Sequence, residues 1–228
     1  MSGLNLDGRD RALWVGLLAL CAASAAAYLL WALPAMPETV PVHWGADGAA
    51  DGWGPKGSTV FMGAVLPLLV LALLFAVPSL DPRGEAFNRF KGVYQGFSAA
   101  FVVFIVVAGW LTPLTALGAI PSGSPVVSLI TFGFMGLLFV GLGVACPRIE
   151  PNYTFGIRLP WTLADPDNWR RTHRFAGPVF VVAGVATVAL ALFSASLPEA
   201  KLVAALLVVT LGGVGVVALY SFVIWRRC

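Results

Sequence analysis

Residues 177–225 read GPVFVVAGVATVALALFSASLPEAKLVAALLVVTLGGVGVVALYSFVIW. Two apolar runs lie in this stretch, Gly177–Leu197 and Leu202–Trp225, separated only by the segment PEAK. Neither run contains a charged residue. Each is close to the ~20 residues that a helix needs to cross ~30 Å of hydrocarbon. No water is present there to pair exposed backbone groups, so a run of this length must be helical. The same reading extends toward the N-terminus over Val126–Cys146, Gly92–Leu111, Thr59–Val77 and Ala12–Leu33. The expected fold class is therefore all-α: a polytopic transmembrane helical bundle of about six spans. It forms a single membrane domain over residues 1–228, with an outer loop at 34–58 and an inner loop at 147–176.

Composition agrees with this reading. Hydrophobic residues make up 59% of the chain and charged residues 11%, with a mean hydropathy of +0.87. A soluble domain carries roughly 25% charged residues, so this chain has too little polar surface to cover a water-facing globule. The first run follows Arg9 and Arg11 but exceeds the ~7–15 apolar residues of a signal-peptide core. Trp14 and Trp31 fit an aromatic belt at its two ends. Cys21, Cys146 and Cys228 are far apart and lack metal-site spacing, which reads as three unpaired thiols.

The basic residues sort by membrane side. Twelve of the fourteen Lys and Arg fall on one side: Arg9 and Arg11, then Arg83, Arg89 and Lys91, then five arginines from Arg148 to Arg174, and Arg226 with Arg227. Only Lys56 and Lys201 fall on the other. The positive-inside rule then places both termini and the 147–176 loop in the cytoplasm, in a multi-pass protein of the plasma membrane. The basic pI thus reflects membrane sidedness and implies no direct nucleic-acid partner. No ionisable residue lies inside any of the six runs, which weighs against ion-coupled transport. Gly92 with Gly96 forms a GxxxG pair, and Gly133 with Gly136 adds two further positions suited to close helix approach.

Polar chemistry concentrates in the two loops. In the outer one, LPAMPETVPVHWGADGAADGWGPKGS (Leu33–Ser58), three prolines hold the chain extended up to His43. Asp47-Gly48 and Asp51-Gly52 read as turn pairs, and Trp44 suits the headgroup level. His43, Asp47 and Asp51 carry groups that suit a metal ion but match no established metal motif; neither metal nor cofactor is expected. In the inner loop, PRIEPNYTFGIRLPWTLADPDNWRRTHRFAG (Pro147–Gly177), Asp165 and Pro166 mark a helix start. From there Trp169 and His173 share a face, as do Asp167 and Arg171. An amphipathic helix at the inner leaflet, its arginines on membrane lipid, would feed the fifth span. Asn152, Gly156, Arg158, Trp161 and Thr162 crowd the segment before it, where Arg158 is expected to pair with a carboxylate, Asp165 or Glu150, or with helix-end carbonyls. Neither a nucleophile–base pair nor a phosphate loop is apparent, so no catalytic residue is assigned.

Both loops resemble those of the SdpI-type membrane proteins. The outer one carries Leu33-Pro34, Pro41-x-His43, Gly48, Asp51 and Lys56. The inner one carries Asn152, Gly156-Ile157-Arg158, Pro160-Trp161-Thr162, Trp169, Thr172-His173 and Gly177. With the six-span pattern the resemblance covers nearly the whole chain. It implies a bacterial immunity and signalling role without catalysis: protection from a secreted membrane-active peptide toxin, and retention of a cytoplasmic transcriptional repressor at the membrane. On that reading His43, Trp44, Asp47, Gly48, Asp51 and Lys56 meet the toxin or an envelope ligand. Asn152, Gly156, Arg158, Trp161, Thr162, Trp169 and His173 meet the cytoplasmic partner or fix the state of the bundle. The alternatives are a small transporter or flippase with a 3+3 arrangement of spans, and a membrane enzyme using a loop histidine beside a carboxylate.

The charge split predicts that positions 46 and 159 lie on opposite sides of the membrane. With the native cysteines removed, Ala46→Cys should react with an impermeant thiol reagent in intact cells and Leu159→Cys only after permeabilisation. Labelling of both in intact cells would overturn the six-span topology.

Overall fold

The computed structural model describes residues 4–121 and 123–227; Cys228 lies outside them. Six helices are long and apolar enough to cross a bilayer: α1 (Gly8–Ala35), α2 (Lys56–Leu80), α3 (Lys91–Ala116) and α4 (Val126–Arg148), then α6 (Pro166–Leu192) and α7 (Glu199–Arg226). A short helix, α5 (Pro160–Ala164), precedes α6. Local chemistry sets the starts. Asp7 accepts from the Asp10 N–H and Asp10 accepts from the Asp7 N–H, a reciprocal cap on α1. Asp165 accepts from the Asp167 N–H at 2.8 Å, with Pro166 in the first turn of α6. The amphipathic segment and the fifth span are therefore one continuous helix. On its surface Asp167 pairs with Arg170 at 3.0 Å, one turn away.

The outer segment folds into an antiparallel hairpin, β1 (Thr39–Trp44) with β2 (Ala50–Pro55). Asp47-Gly48 makes the turn, with Gly48 at φ 87°. Asp51-Gly52, expected as a second turn, lies instead within β2, where Gly52 pairs with His43. A Cβ at Gly52 would stand 2.8 Å from the His43 Cβ, so the glycine serves close strand approach rather than reversal.

Lipid tails are as apolar as leucine, so helices in a bilayer associate by close packing rather than by hydrophobic exclusion. Here α4 and α6 touch through two pairs of glycines. A Cβ on Gly136 would lie 2.7 Å from the Gly184 carbonyl oxygen, and one on Gly184 would lie 2.5 Å from that of Gly136. Gly143 and Gly177 repeat the arrangement one heptad along, at 2.6 and 3.0 Å. Of the glycines expected to mediate close approach, Gly136 does so. Gly133 meets only Leu129 of its own helix, and Gly92 and Gly96 face open space. Trp14 also departs from expectation. It is buried edge-on against Phe75 at 5.3 Å, while Trp31 stays exposed and stacks on Trp110. Cys21 and Cys146 are buried free thiols.

Gly136→Ala and Gly184→Ala should each destabilise the bundle by about 1–3 kcal/mol, because backbone must move to admit the methyl. Gly96→Ala should be neutral or slightly stabilising. Thermal unfolding in detergent distinguishes them; equal midpoints for all three would refute the seam.

Candidate functional site

The polar residues of the chain gather at opposite ends of the bundle. At the hairpin end, His43 Nδ1–H donates to Asp51 Oδ1 at 2.6 Å, and the two side chains are 72% and 53% exposed. Asp47 turns away from them to accept from the Ala49 N–H at 2.9 Å. The three groups weighed as metal ligands are thus not gathered on one point. Trp44 packs on Leu111, Ile120 and Val127 with its indole Nε1 buried and unpaired. Gly48 fits because a Cβ there would lie 2.7 Å from the Ser124 carbonyl oxygen.

Three helices pin this hairpin. Lys56, at the start of α2, donates to the Met36 carbonyl at 3.2 Å and pairs with Glu38 at 3.1 Å. Ser128 of α4 donates to the Ala46 carbonyl at 2.6 Å. Glu199 of α7 accepts from the Ala46 N–H at 3.1 Å. A recess of ≈190 Å³ remains between Val42–Gly45 and helices α3 and α4. Val42 and Trp53 stay exposed on the hairpin.

At the opposite end, the 147–176 segment is a closed hydrogen-bonded knot. Asn152 is fully buried; its carbonyl accepts from the N–H groups of Thr154 and Phe155, and its amide donates to the carbonyls of Glu150 and Phe155. Trp169 donates to the Ile149 carbonyl at 2.8 Å and stacks on His173 at 4.1 Å between centroids. His173 Nδ1–H donates to the Trp169 carbonyl, and Nε2 accepts from the Ile157 N–H at 3.1 Å. A carbonyl can only accept and an amide N–H can only donate, so the imidazole is neutral with its proton on Nδ1. Gly156, at φ 116°, lets the loop pass; a Cβ there would stand 2.7 Å from His173 Nε2. Thr162 accepts from the Leu159 N–H and reaches the Ile157 and Leu159 carbonyls. Trp161 donates to Ser221 Oγ of α7 at 2.7 Å.

Arg158 is the exception. Its side chain is exposed, and its guanidinium donates to the Tyr153 carbonyl at 3.0 Å rather than to Asp165, Glu150 or a helix end. Glu150 faces Arg89 at 3.9 Å instead. The sequence reading also missed residues that complete the knot. Buried Asp81, just after α2, accepts from the Tyr153 N–H at 2.9 Å and the Thr154 hydroxyl at 2.7 Å. Asn168 joins Ser221 and Thr172 across α6 and α7. Phe155 enters a ring cluster with Phe90, Tyr94 and Phe97. Asp81 beside Pro82, directly after an apolar run, was a signal in the sequence; its partners lie more than seventy residues away.

Chemically, the two ends differ. The knot satisfies its own polar atoms and holds shape. The hairpin end offers an exposed imidazole–carboxylate pair, His43 with Asp51. Asp81→Ala should raise amide exchange over residues 152–157 about tenfold, since buried donors lose their acceptor. Arg158→Ala should leave that exchange unchanged, as it removes one exposed bond. Equal protection in both variants would show that Asp81 does not hold the loop.

Residues 148–224 match the model of the SdpI/YfhL protein family, and residues 19–68 match that of a domain of unknown function, DUF1648. The chain is 26% identical over 159 residues to the immunity protein SdpI of Bacillus subtilis (strain 168), covering 70% of this chain and 72% of that protein. No solved structure matches it. The first match begins at the knot and runs through α7; the second contains most of α1, the whole hairpin and the start of α2. At the knot end the chain is thus similar to the SdpI/YfhL protein family, and over most of its length to an immunity protein, in keeping with a multi-pass membrane protein.

Proposed function

We propose that this protein is an immunity-type protein of the plasma membrane that protects its cell from a secreted membrane-active peptide. The observation that carries this reading is the hairpin. It is pinned to α2, α4 and α7, yet it leaves His43, Asp51, Val42 and Trp53 exposed on one small structure. An amphipathic peptide needs both kinds of contact, apolar side chains and a charge that orients it. The split of basic residues supports placing the hairpin outside the cell and the knot, with both termini, in the cytoplasm. The name of the Bacillus subtilis relative supports immunity as the role.

Signalling to a cytoplasmic transcriptional repressor belongs, on this proposal, to the exposed surface of the knot. Arg158 is the site residue there whose charged group is exposed, with one bond to the Tyr153 carbonyl and further donors left for a partner. Asn152, Thr162, Trp169 and His173 give that surface its fixed shape from within.

The test is expression in a host sensitive to membrane-active peptides. Asp51→Ala should reduce protection while membrane abundance stays normal. Arg158→Ala should reduce repressor recruitment about tenfold with protection kept, as loss of a charge-assisted contact would do. Full expression without protection against any candidate peptide would overturn the immunity role. Equal loss of both activities in either variant, at unchanged abundance, would overturn the division between the ends.

A further inference from the structure

Gly92 and Gly96, expected to sit at a helix contact, line an open groove instead. It runs between α3 and α4, with Gly92, Gly96 and Ala100 on one wall and Gly141 and Ala145 on the other, and Phe134 across its deeper end. An added Cβ at Gly92, Gly96 or Gly141 would meet nothing within 4 Å. The groove holds ≈380 Å³ and is lined by apolar side chains and glycines. An open apolar groove that runs along two helices is a surface against which an acyl chain can lie in a bilayer.

The mouth of the groove has a charge. Gly92 and Ala145 mark it, and Arg89 and Arg148 stand three residues beyond each. Arg89 is largely exposed and has a 3.9 Å contact to Glu150. Arg148 is exposed and folds back onto the Val144 carbonyl at 3.2 Å, at the end of α4. Lys91 is turned away, engaged by Asp10 and the Asn5 carbonyl. Glu150 is the carboxylate that faces Arg89. An apolar groove with Arg89 and Arg148 in the turns just beyond its end is complementary to an anionic phospholipid.

We propose that this groove binds one anionic phospholipid, with an acyl chain over Gly92, Gly96 and Gly141 and the phosphate between Arg89 and Arg148. The site is independent of the hairpin and of the immunity reading.

The experiment is native mass spectrometry of the full chain in detergent, with dioleoyl phosphatidylglycerol and dioleoyl phosphatidylcholine as probes. The wild-type protein should hold phosphatidylglycerol about tenfold more tightly, the value of one charge-assisted contact. R89Q/R148Q should abolish that preference. Both positions are exposed, so this variant tests the headgroup site without touching the core. G96L and G141L fill the channel and should each weaken phosphatidylglycerol about tenfold at unchanged elution and helicity. Equal retention of the two lipids, or an unchanged preference in R89Q/R148Q, would overturn the proposal. A dimer that G96L converts to monomer, with lipid retention unchanged, would assign the groove to a second copy and overturn it as well.

Discussion

The arrangement rests on the distance between two backbones. Where α4 crosses α6, glycines 136, 143, 177 and 184 allow carbonyl oxygens to approach positions that any side chain would occupy. In water such a contact would be a minor addition to a hydrophobic core. In lipid it is a principal source of cohesion, because dispersion between closely packed backbones is not matched by contact with acyl chains. The seam also sets position. With Gly177 against Gly143, the first turns of α6 are carried past the end of α4 and stand beside Ile149. Trp169 then reaches the Ile149 carbonyl, and His173 faces Gly156 and bonds the Ile157 N–H. The knot is a consequence of where the glycines hold the helix.

That dependence changes the meaning of the loop residues. Asn152, Thr162, Trp169 and His173 are the sort of side chains that read as a binding site when met in a row. Each is instead buried and matched to backbone groups that would otherwise lack partners. A loop at the end of a bundle has no regular ladder to pair its amides, so polar side chains take over that work. The cost of an unpaired buried group then makes the arrangement all-or-none. The exposed end, by contrast, uses few residues for shape and leaves His43 and Asp51 in water.

Helix number, the start of α6 at Asp165 and Pro166, and the face shared by Trp169 and His173 were legible in the sequence, because each follows from local rules of length, capping and spacing. The hairpin was half legible: prolines announced extended chain, but Asp51-Gly52 looks like a turn in isolation and becomes strand only because His43 needs a partner without a Cβ. What could not be read was long-range. Nothing local distinguishes Gly96, which faces a groove, from Gly184, which faces a carbonyl. Asp81 finds Tyr153 and Thr154, and Asn168 finds Ser221, through the fold alone.

The bonds at the two ends of α7 have a mechanical meaning. Glu199 holds one end to the hairpin through Ala46, and Ser221 holds the other through Trp161 and Asn168. With 28 residues the helix is about 42 Å long, more than the ~30 Å hydrocarbon core requires. A helix fastened at both ends cannot slide to relieve that mismatch. A change in bilayer thickness must be taken up by tilt of the bundle as a whole. The orientation of the hairpin relative to the membrane plane is then coupled to the lipid composition around it.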